Sequence, residues 1–229
     1  MAKVIDPSET KRAQAFEQWM KASMPMLTYS STLDVSHLLS MKRRYKYKFN
    51  MLMCWCISRA AAMMEEFYML PEKQDEENKL LFCDRLAITV SVKTLEGTVF
   101  NCDVPLSYDI EQFNREYLAL TRHVQNSCTD YNIGEDHMLI RTVAFPEAEI
   151  DSVTAAYVAN RNYPTLIWGK YRKGFFKTTL PVSFQFHHAQ MDEVHAATFF
   201  ALLQKEINKV TKPPVPKNGI PQIPNDPEE

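Results

Sequence analysis

Glycine is scarce in this chain of 229 residues, and the few glycines are scattered. They are Gly97, Gly134, Gly169, Gly174 and Gly219. Phosphate-binding loops of the Walker and Rossmann types place several glycines within a few residues, because the backbone must approach the phosphates closely. The sequence contains no such cluster, so we expect neither of these nucleotide-binding folds.

Long apolar runs are missing as well. No run approaches the roughly 20 residues that a helix needs to span a bilayer, and residues 1–6 lack the apolar stretch of a secretion signal. The five cysteines are odd in number and scattered, and Cys54 and Cys56 stand too close together for a usual zinc knuckle. These absences predict a cytoplasmic protein with reduced thiols and no membrane partner.

Neither sign of charge is in large excess, since the formal net charge is -2. A chain this close to neutral has no long-range field that gathers nucleic acid, so we expect no nucleic-acid partner. The most basic run, residues 42–48, mixes cations with tyrosines. Two interpretations stay open for this run: a phosphate-binding segment, or a solvated connection between elements.

The composition is typical of a globular protein. Hydrophobic residues make up 45% of the chain and charged residues 24%, which allows a sizeable core. We expect a single domain over residues 1–212. Six of the 13 prolines fall in Pro213–Glu229, and this segment is predicted to be a flexible tail because proline cannot continue a helix.

The hydrophobic patterns predict a mixture of helices and strands. Helices are expected from residue 6, after residue 34, over 49–69, from residue 109 and over 193–210. Strands are expected over 26–33, 80–93, 98–104, 138–145, 165–171 and 175–186, with a charged loop over 71–78 and a hairpin at 172–174. This mixture predicts an α/β fold, an α+β sandwich in which helices flank a mixed β-sheet.

A pair of histidines stands where a predicted strand ends and a predicted helix begins. Asp192, four residues after His188, is placed to open the helix. An imidazole with an ordinary pKa of about 6.5 accepts a proton at neutral pH, and the helix dipole favours an acid at the helix start. The pattern is typical of an acid-base site, and it also fits a buried histidine held by hydrogen bonds.

A metal site is a further alternative at this place. His188, Asp192 and His195 are spaced at four and three residues, like ligands on one helical face. The junction between strand and helix disrupts that shared face, and the sequence offers no recognisable second shell of supporting residues. We therefore expect no metal here.

The segment that contains these histidines resembles the active-site segment of chloramphenicol acetyltransferases. The family pattern is His-His-Ala-x-x-Asp-Gly, and the chain matches it at His187, His188, Ala189 and Asp192. The likeness continues in order and with similar spacings over about residues 8–208. Further matches are Arg12, Leu33-Asp34-Val35, Lys48-Phe49, Asp109-Ile110-Glu111-Gln112-Phe113, Ile150-Asp151-Ser152 and Gly169-Lys170-Tyr171.

This resemblance implies an enzyme that transfers acetyl from acetyl-CoA to the hydroxyl of a small alcohol such as chloramphenicol, which confers antibiotic resistance. It implies a homotrimer with an active site at each subunit interface. By the same resemblance, the general base is His188, the structural ion pair is Asp192 and Arg12, the residues beside coenzyme A are Lys170 and Tyr171, and the acceptor pocket includes Trp19 and Ile167.

The chain departs from the family pattern where the family supplies a hydrogen-bond donor. Val143 matches the serine that binds the oxyanion, and Arg141 matches an asparagine two residues earlier. Ile167 likewise replaces a threonine, and Glu193 replaces the glycine after the aspartate. Losing one oxyanion donor typically lowers a rate by about 10²–10³.

Arg141 is a candidate for the missing donor, because strand alternation puts it on the same face as Val143 and Thr142 on the opposite one. It equally fits an ion pair at a surface or between subunits. Three hypotheses follow from the sequence: a chloramphenicol acetyltransferase, an acetyltransferase for another small alcohol, and a trimeric binding protein that has lost the chemistry.

Overall fold

A computed structural model describes residues 2–74, 77–156 and 162–211 of the chain. The predicted tail, Pro213–Glu229, lies outside the described residues. The helices are α1 (Ala13–Trp19), α2 (Ser36–Tyr45), α3 (Phe49–Ala61), α4 (Ile110–Ser127) and α5 (Glu193–Lys209). The strands are β1 (Lys3–Ile5), β2 (Met26–Asp34), β3 (Met69–Gln74), β4 (Glu77–Phe82), β5 (Arg85–Lys93), β6 (Val99–Pro105), β7 (His137–Ala144), β8 (Thr165–Trp168), β9 (Arg172–Lys173) and β10 (Thr178–His187).

The main sheet is mixed. Its strands hydrogen-bond in the order β2-β10-β8-β7-β5-β6, and β9 pairs with the first residues of β10. β5, β7 and β8 are parallel neighbours, whereas the other pairs are antiparallel. This sheet and its helices confirm the predicted α/β sandwich.

One face of the main sheet packs against helices α2 to α5 in a continuous apolar core. Alternate residues of β10, namely Val182, Phe184 and Phe186, point into this core and are fully buried. Ten of the 13 residues of α3 are buried, because this helix is apolar on most of its faces. The opposite face of the sheet is more polar, and it carries Arg141 and Val143 of β7.

A second, three-stranded antiparallel sheet has the order β1-β4-β3. The predicted loop over 71–78 is therefore wrong, since β3 and β4 occupy most of it, and the predicted strand 80–93 is two strands that separate at residues 83–84. Glu72 lies directly opposite Lys79 in the ladder, and such opposite charges stabilise a strand pair. Glu72, one of the charged residues that suggested a loop, is thus a cross-strand partner of Lys79.

Three predicted boundaries also differ from the structure. The helix expected over 49–69 ends at Ala61, and a 3-10 helix, Glu65–Tyr68, follows it. Within this turn Phe67 is fully buried against Phe184 and Phe199, so tertiary packing overrides the helical pattern. At the N-terminus only a 3-10 turn follows Asp6, and β10 begins at Thr178 rather than at residue 175.

Candidate active site

His188 directly follows β10, and hydrogen bonds hold its backbone on both sides. Its N–H donates to the carbonyl of Pro25 at 2.8 Å, and its own carbonyl accepts from Arg12 Nη2 at 2.6 Å. Both partners come from the N-terminal part of the chain. The position of the histidine therefore depends on contacts that are remote in sequence.

The ring of His188 is held by stacking. It lies against the indole of Trp19, with ring centroids 4.2 Å apart and planes within 4°. Its Nδ1 atom is buried and makes no hydrogen bond to any described residue. This leaves Nε2 as the nitrogen that a bound molecule can reach, and a free ring nitrogen in a fixed plane is suited to proton transfer.

His187, the neighbouring histidine, has a different environment. It is 2% exposed, and its Nδ1 accepts a hydrogen bond from the N–H of Ala189 at 3.1 Å. Burial, together with the nearby His188, lowers the pKa of His187 to about 4. We infer that His187 is a neutral residue that shapes the turn.

Asp192 and Arg12 are in contact, with 2.6 Å between Asp192 Oδ2 and Arg12 Nη1. Asp192 also caps α5, because its Oδ1 accepts from the N–H groups of Val194 and His195 at 3.1 Å each. Partial burial opposes the charged form, but hydrogen bonds from His195 and the charges of His195 and Arg12 outweigh it and lower the pKa of Asp192 to about 2. Since Arg12 also binds the carbonyl of His188, this carboxylate is linked to the histidine through one guanidinium.

Asp192→Asn is expected to lower the free energy of unfolding by about 2 kcal/mol at neutral pH and to lower activity as well. Asparagine can still cap the helix, so the loss reports the missing charge. The folded pKa lies below the unfolded value of 3.8, so this stabilisation is present above pH ~4 and is lost as the pH falls towards 2. Urea unfolding of both proteins at neutral and at acid pH measures it. Equal stabilities at neutral pH would contradict the ion-pair assignment.

Two further side chains join this cluster without having been assigned from the sequence. Glu66 Oε1 lies 3.1 Å from His195 Nε2, and Gln190 Nε2 donates to the carbonyls of Glu66 and Met69 at 3.0 and 2.7 Å. Glu66 is more than 120 residues away from both partners in the chain. No local pattern in the sequence indicates such a contact.

The two candidate oxyanion residues lie on the face of the sheet opposite the helix-packed core. Arg141 and Val143 are half-buried there, whereas Thr142 points into the core and donates to the carbonyl of Thr89 at 2.9 Å. Val143 lies opposite Ile167 in the β7–β8 ladder. Arg141 makes no ion pair or side-chain hydrogen bond with any residue that the structure describes.

The structure does not bring His188 together with Val143 in one chain. Val143 is level with Ile167, and Ile167 is level with Ser183 of β10. His188 lies five residues beyond Ser183, which is about 16 Å along an extended strand. One small acceptor cannot contact both ends of this distance. Trp19 is grouped with His188, and Ile167 with Val143.

A cleft of about 1140 Å³ opens beside Val143. Its cationic side chains are Lys42, Lys93, Lys170, Arg172 and Lys173. Two carboxylates, Glu147 and Glu149, also line it, so the cations are in excess. Tyr171 packs against Phe49 in its wall, with ring centroids 5.5 Å apart. Lys170 and Tyr171, predicted beside coenzyme A, thus both face this cleft.

Gly169 lets the backbone pass closely over the cleft wall. A Cβ atom at this position would lie 2.4 Å from the carbonyl oxygen of Ala148, which no larger residue can accommodate. The next N–H, of Lys170, donates to the same carbonyl at 2.7 Å. The match Gly169-Lys170-Tyr171 therefore has a steric basis.

The geometry of the described residues bears on the metal alternative. In the parts of the chain that the structure describes, no three His, Cys, Asp or Glu side chains are grouped to hold a metal ion. Asp192 and His195 contact each other, and the ring of His188 is stacked on Trp19.

Among the described helices, none combines the length and the apolar character that crossing a bilayer requires.

Known proteins share both the sequence and the architecture. Residues 2–204 match the family model described as chloramphenicol acetyltransferase. The chain is 27% identical to chloramphenicol acetyltransferase 2 of Escherichia coli over 215 residues, across 91% of this chain and 98% of that protein. A solved chloramphenicol acetyltransferase superposes with a TM-score of 0.76 at 19% identity, across 90% of this chain and all of that one.

A dihydrolipoamide acetyltransferase of Azotobacter vinelandii shares the fold more distantly, with a TM-score of 0.63 at 14% identity over 86% of each chain. The family model covers most of the chain, and three relatives that are 26–27% identical to it carry the name of the same enzyme. The chain therefore belongs to the chloramphenicol acetyltransferase family of acyltransferases.

Proposed function

We propose that this protein transfers an acetyl group from acetyl-CoA directly to the hydroxyl of a small alcohol, with His188 as general base. The observation that carries the proposal is the fixed imidazole, whose backbone is bound by Arg12 and Pro25 and whose ring is stacked on Trp19. Such a group contributes to catalysis only when it is held in the productive geometry. Three separate contacts hold it here.

His188 Nε2 is proposed to accept the proton of the acceptor hydroxyl as the hydroxyl oxygen attacks the acetyl carbonyl. Because Nδ1 is enclosed, the same Nε2 atom holds the proton until the leaving thiolate can take it. His187 is not suited to this step, since its ring is buried and engaged with the backbone. No covalent acyl-enzyme is required.

The cleft beside Val143 fits coenzyme A by its chemistry. The five cations match the negative phosphates of the cofactor, and the ring of Tyr171 offers a surface for its adenine. Bound there, acetyl-CoA supplies the acetyl group as an activated thioester. Lys170 is the residue proposed to pair with phosphate, and no metal is needed to hold the cofactor.

The separation of His188 from Val143 supports a site between subunits. Within one chain the base and the cofactor cleft lie at different ends of the sheet, so a second copy is proposed to bring its His188 to this cleft. We infer a homotrimer with three equivalent interfaces, located in the cytoplasm where acetyl-CoA is available. Trp19 from one subunit and Ile167 from the next then line the acceptor pocket.

Chloramphenicol is the first acceptor to test, because it is the substrate in the names of the relatives, and its acetylation would confer antibiotic resistance. A different alcohol is the second candidate, and one observation favours it. Arg141 is half-buried on the acceptor side without a charge partner among the described residues, which is costly unless a ligand or another subunit supplies an anion. An acceptor with a negative group fits this requirement.

Release of thiol from acetyl-CoA tests the proposal directly. The panel of acceptors contains chloramphenicol, neutral alcohols and alcohols that carry a carboxylate or phosphate. We expect release to depend on an acceptor, and the best acceptor identifies the substrate class. If acetyl-CoA binds but no acceptor in the panel promotes thiol release, the protein is instead a family member that binds and does not catalyse.

A further inference from the structure

His195 lies between two carboxylates. The proposed base His188 and the ion pair of Asp192 and Arg12 give this histidine no role. Its Nδ1 is 2.5 Å from Asp192 Oδ1, and its Nε2 is 3.1 Å from Glu66 Oε1. The contact with Asp192 is a hydrogen bond and the contact with Glu66 is an ion-pair distance. An ionised carboxylate only accepts hydrogen bonds, so a ring placed between two carboxylates is best matched to them when both its nitrogens carry a proton. The position of the ring between Asp192 and Glu66 therefore suits an imidazolium that joins two anions.

With His195 protonated, four charges of alternating sign follow one another from Glu66 through His195 and Asp192 to Arg12. The side chains are 12%, 27%, 25% and 15% exposed, in that order. Charge-assisted hydrogen bonds that are partly shielded from water are among the stronger polar contacts in proteins. The row ends where Arg12 Nη2 binds the carbonyl of His188.

The first residue of this row, Glu66, belongs to the 3-10 turn Glu65–Tyr68. Gln190, inside the loop of residues 188–192, donates to the carbonyls of Glu66 and Met69, so the same turn holds the loop at a second point. Of the neighbouring charged groups, Lys11 pairs with Glu65 at 2.6 Å. Lys11 therefore does not replace His195 as the direct partner of Glu66.

We propose that His195 is a positioning residue for catalysis. As a cation, His195 binds Asp192 in the loop of residues 188–192 and Glu66 in the turn Glu65–Tyr68. These contacts hold Asp192 against the guanidinium of Arg12, which in turn binds the carbonyl of His188. The inference rests on the proposed function in one respect, which is that His188 is the base. Asp192 caps α5 through the backbone N–H groups of Val194 and His195, and this cap does not need the imidazole. The proposed contribution of the His195 side chain is therefore its charge.

Two variants of the full-length protein separate a charge link from simple packing. His195→Arg keeps a planar cation that can donate to two carboxylates, whereas His195→Gln is neutral and smaller. For a charge link we expect kcat to fall by about 10–100-fold in H195Q, with most of it recovered in H195R. The KM for acetyl-CoA should not change in either. A packing role predicts the reverse order, with H195Q the more active, and that order would overturn the proposal.

The position of His188 is also measured without reference to activity. In protein labelled at histidine with ¹³C, the imidazole resonance of His188 is assigned by its loss in His188→Ala. We expect this resonance to shift or broaden in H195Q and in Glu66→Gln, and to stay near its native position in H195R. The double variant, H195Q with Glu66→Gln, should change the His188 resonance no more than H195Q alone, because both substitutions break the same contact between His195 and Glu66.

An unshifted His188 resonance in both H195Q and Glu66→Gln would refute the positioning role, whatever the enzyme assay gives. Conversely, native protein that transfers no acetyl refutes the proposed function, while the resonance still decides whether His195 positions the loop. If H195Q does not fold, Glu66→Gln removes the same link from the other end, since it leaves the pair of His195 and Asp192 intact.

Discussion

Replacing His188 with alanine is expected to lower kcat for acetyl transfer by about 10²–10⁴, the usual contribution of a positioned general base. Binding of acetyl-CoA should be nearly unchanged, because the imidazole from the neighbouring subunit is proposed to meet the cofactor only at its reacting end, whereas the cationic cleft holds its phosphates. Steady-state kinetics and equilibrium binding of acetyl-CoA measure the two effects separately. A His188→Ala protein that keeps most of its turnover would exclude the proposed mechanism.

His187→Asn is the matched control for this experiment. Its amide oxygen can still accept the N–H of Ala189, which is the one side-chain hydrogen bond that the structure gives to His187. We therefore expect only a small loss of turnover. A loss as large as that of His188→Ala would mean that the two histidines cannot be separated into a base and a residue that shapes the turn.

Mixed oligomers test whether the site is shared between chains. Val143→Arg blocks the cleft of its own chain but keeps His188. His188→Ala removes the proposed base but keeps the cleft open. Each variant should be inactive alone. After the two are unfolded and refolded together, some interfaces combine an intact His188 with an intact cleft, so activity should return. No recovery in mixed oligomers would indicate that each chain holds a complete site.

Local signals predicted the elements that carry the proposed base. The alternation of apolar residues in β10 and the capping aspartate of α5 are both readable over a few residues, and the structure contains both. The contact between Arg12 and Asp192 joins residues 180 apart in the chain. Only the family resemblance indicated it, since neither periodicity nor spacing connects the two positions.

What the sequence could not supply depends on packing between remote segments. The turn Glu65–Tyr68 continues a helical pattern, yet Phe67 enters the aromatic core and Glu66 meets His195. The distance between His188 and Val143 follows from the register of three strands, which no single segment encodes. Likewise, the cationic cleft is lined by residues from several separate parts of the chain, between Lys42 and Lys173.

Val143→Ser is expected to raise turnover by about 10²–10³ if the hydroxyl reaches the position where negative charge develops on the acetyl oxygen, since one oxyanion donor typically contributes that much. Val143 is half-buried, faces the cleft and belongs to the same face as Arg141, so a hydroxyl here points towards the proposed cofactor. The measurement is kcat with the best acceptor from the panel. Val143→Ala is the control, because it creates similar space without adding a donor and should leave turnover unimproved.

The outcome also decides the role of Arg141. If Val143→Ser leaves turnover unchanged, the oxyanion already has a donor, and Arg141 is the first residue to test because its guanidinium shares the face of Val143. Arg141→Met should then lower kcat while the KM of a neutral acceptor stays the same. If Arg141 instead binds an anionic acceptor, the same substitution raises the KM of that acceptor alone, since a lost ground-state contact weakens binding without slowing the chemical step.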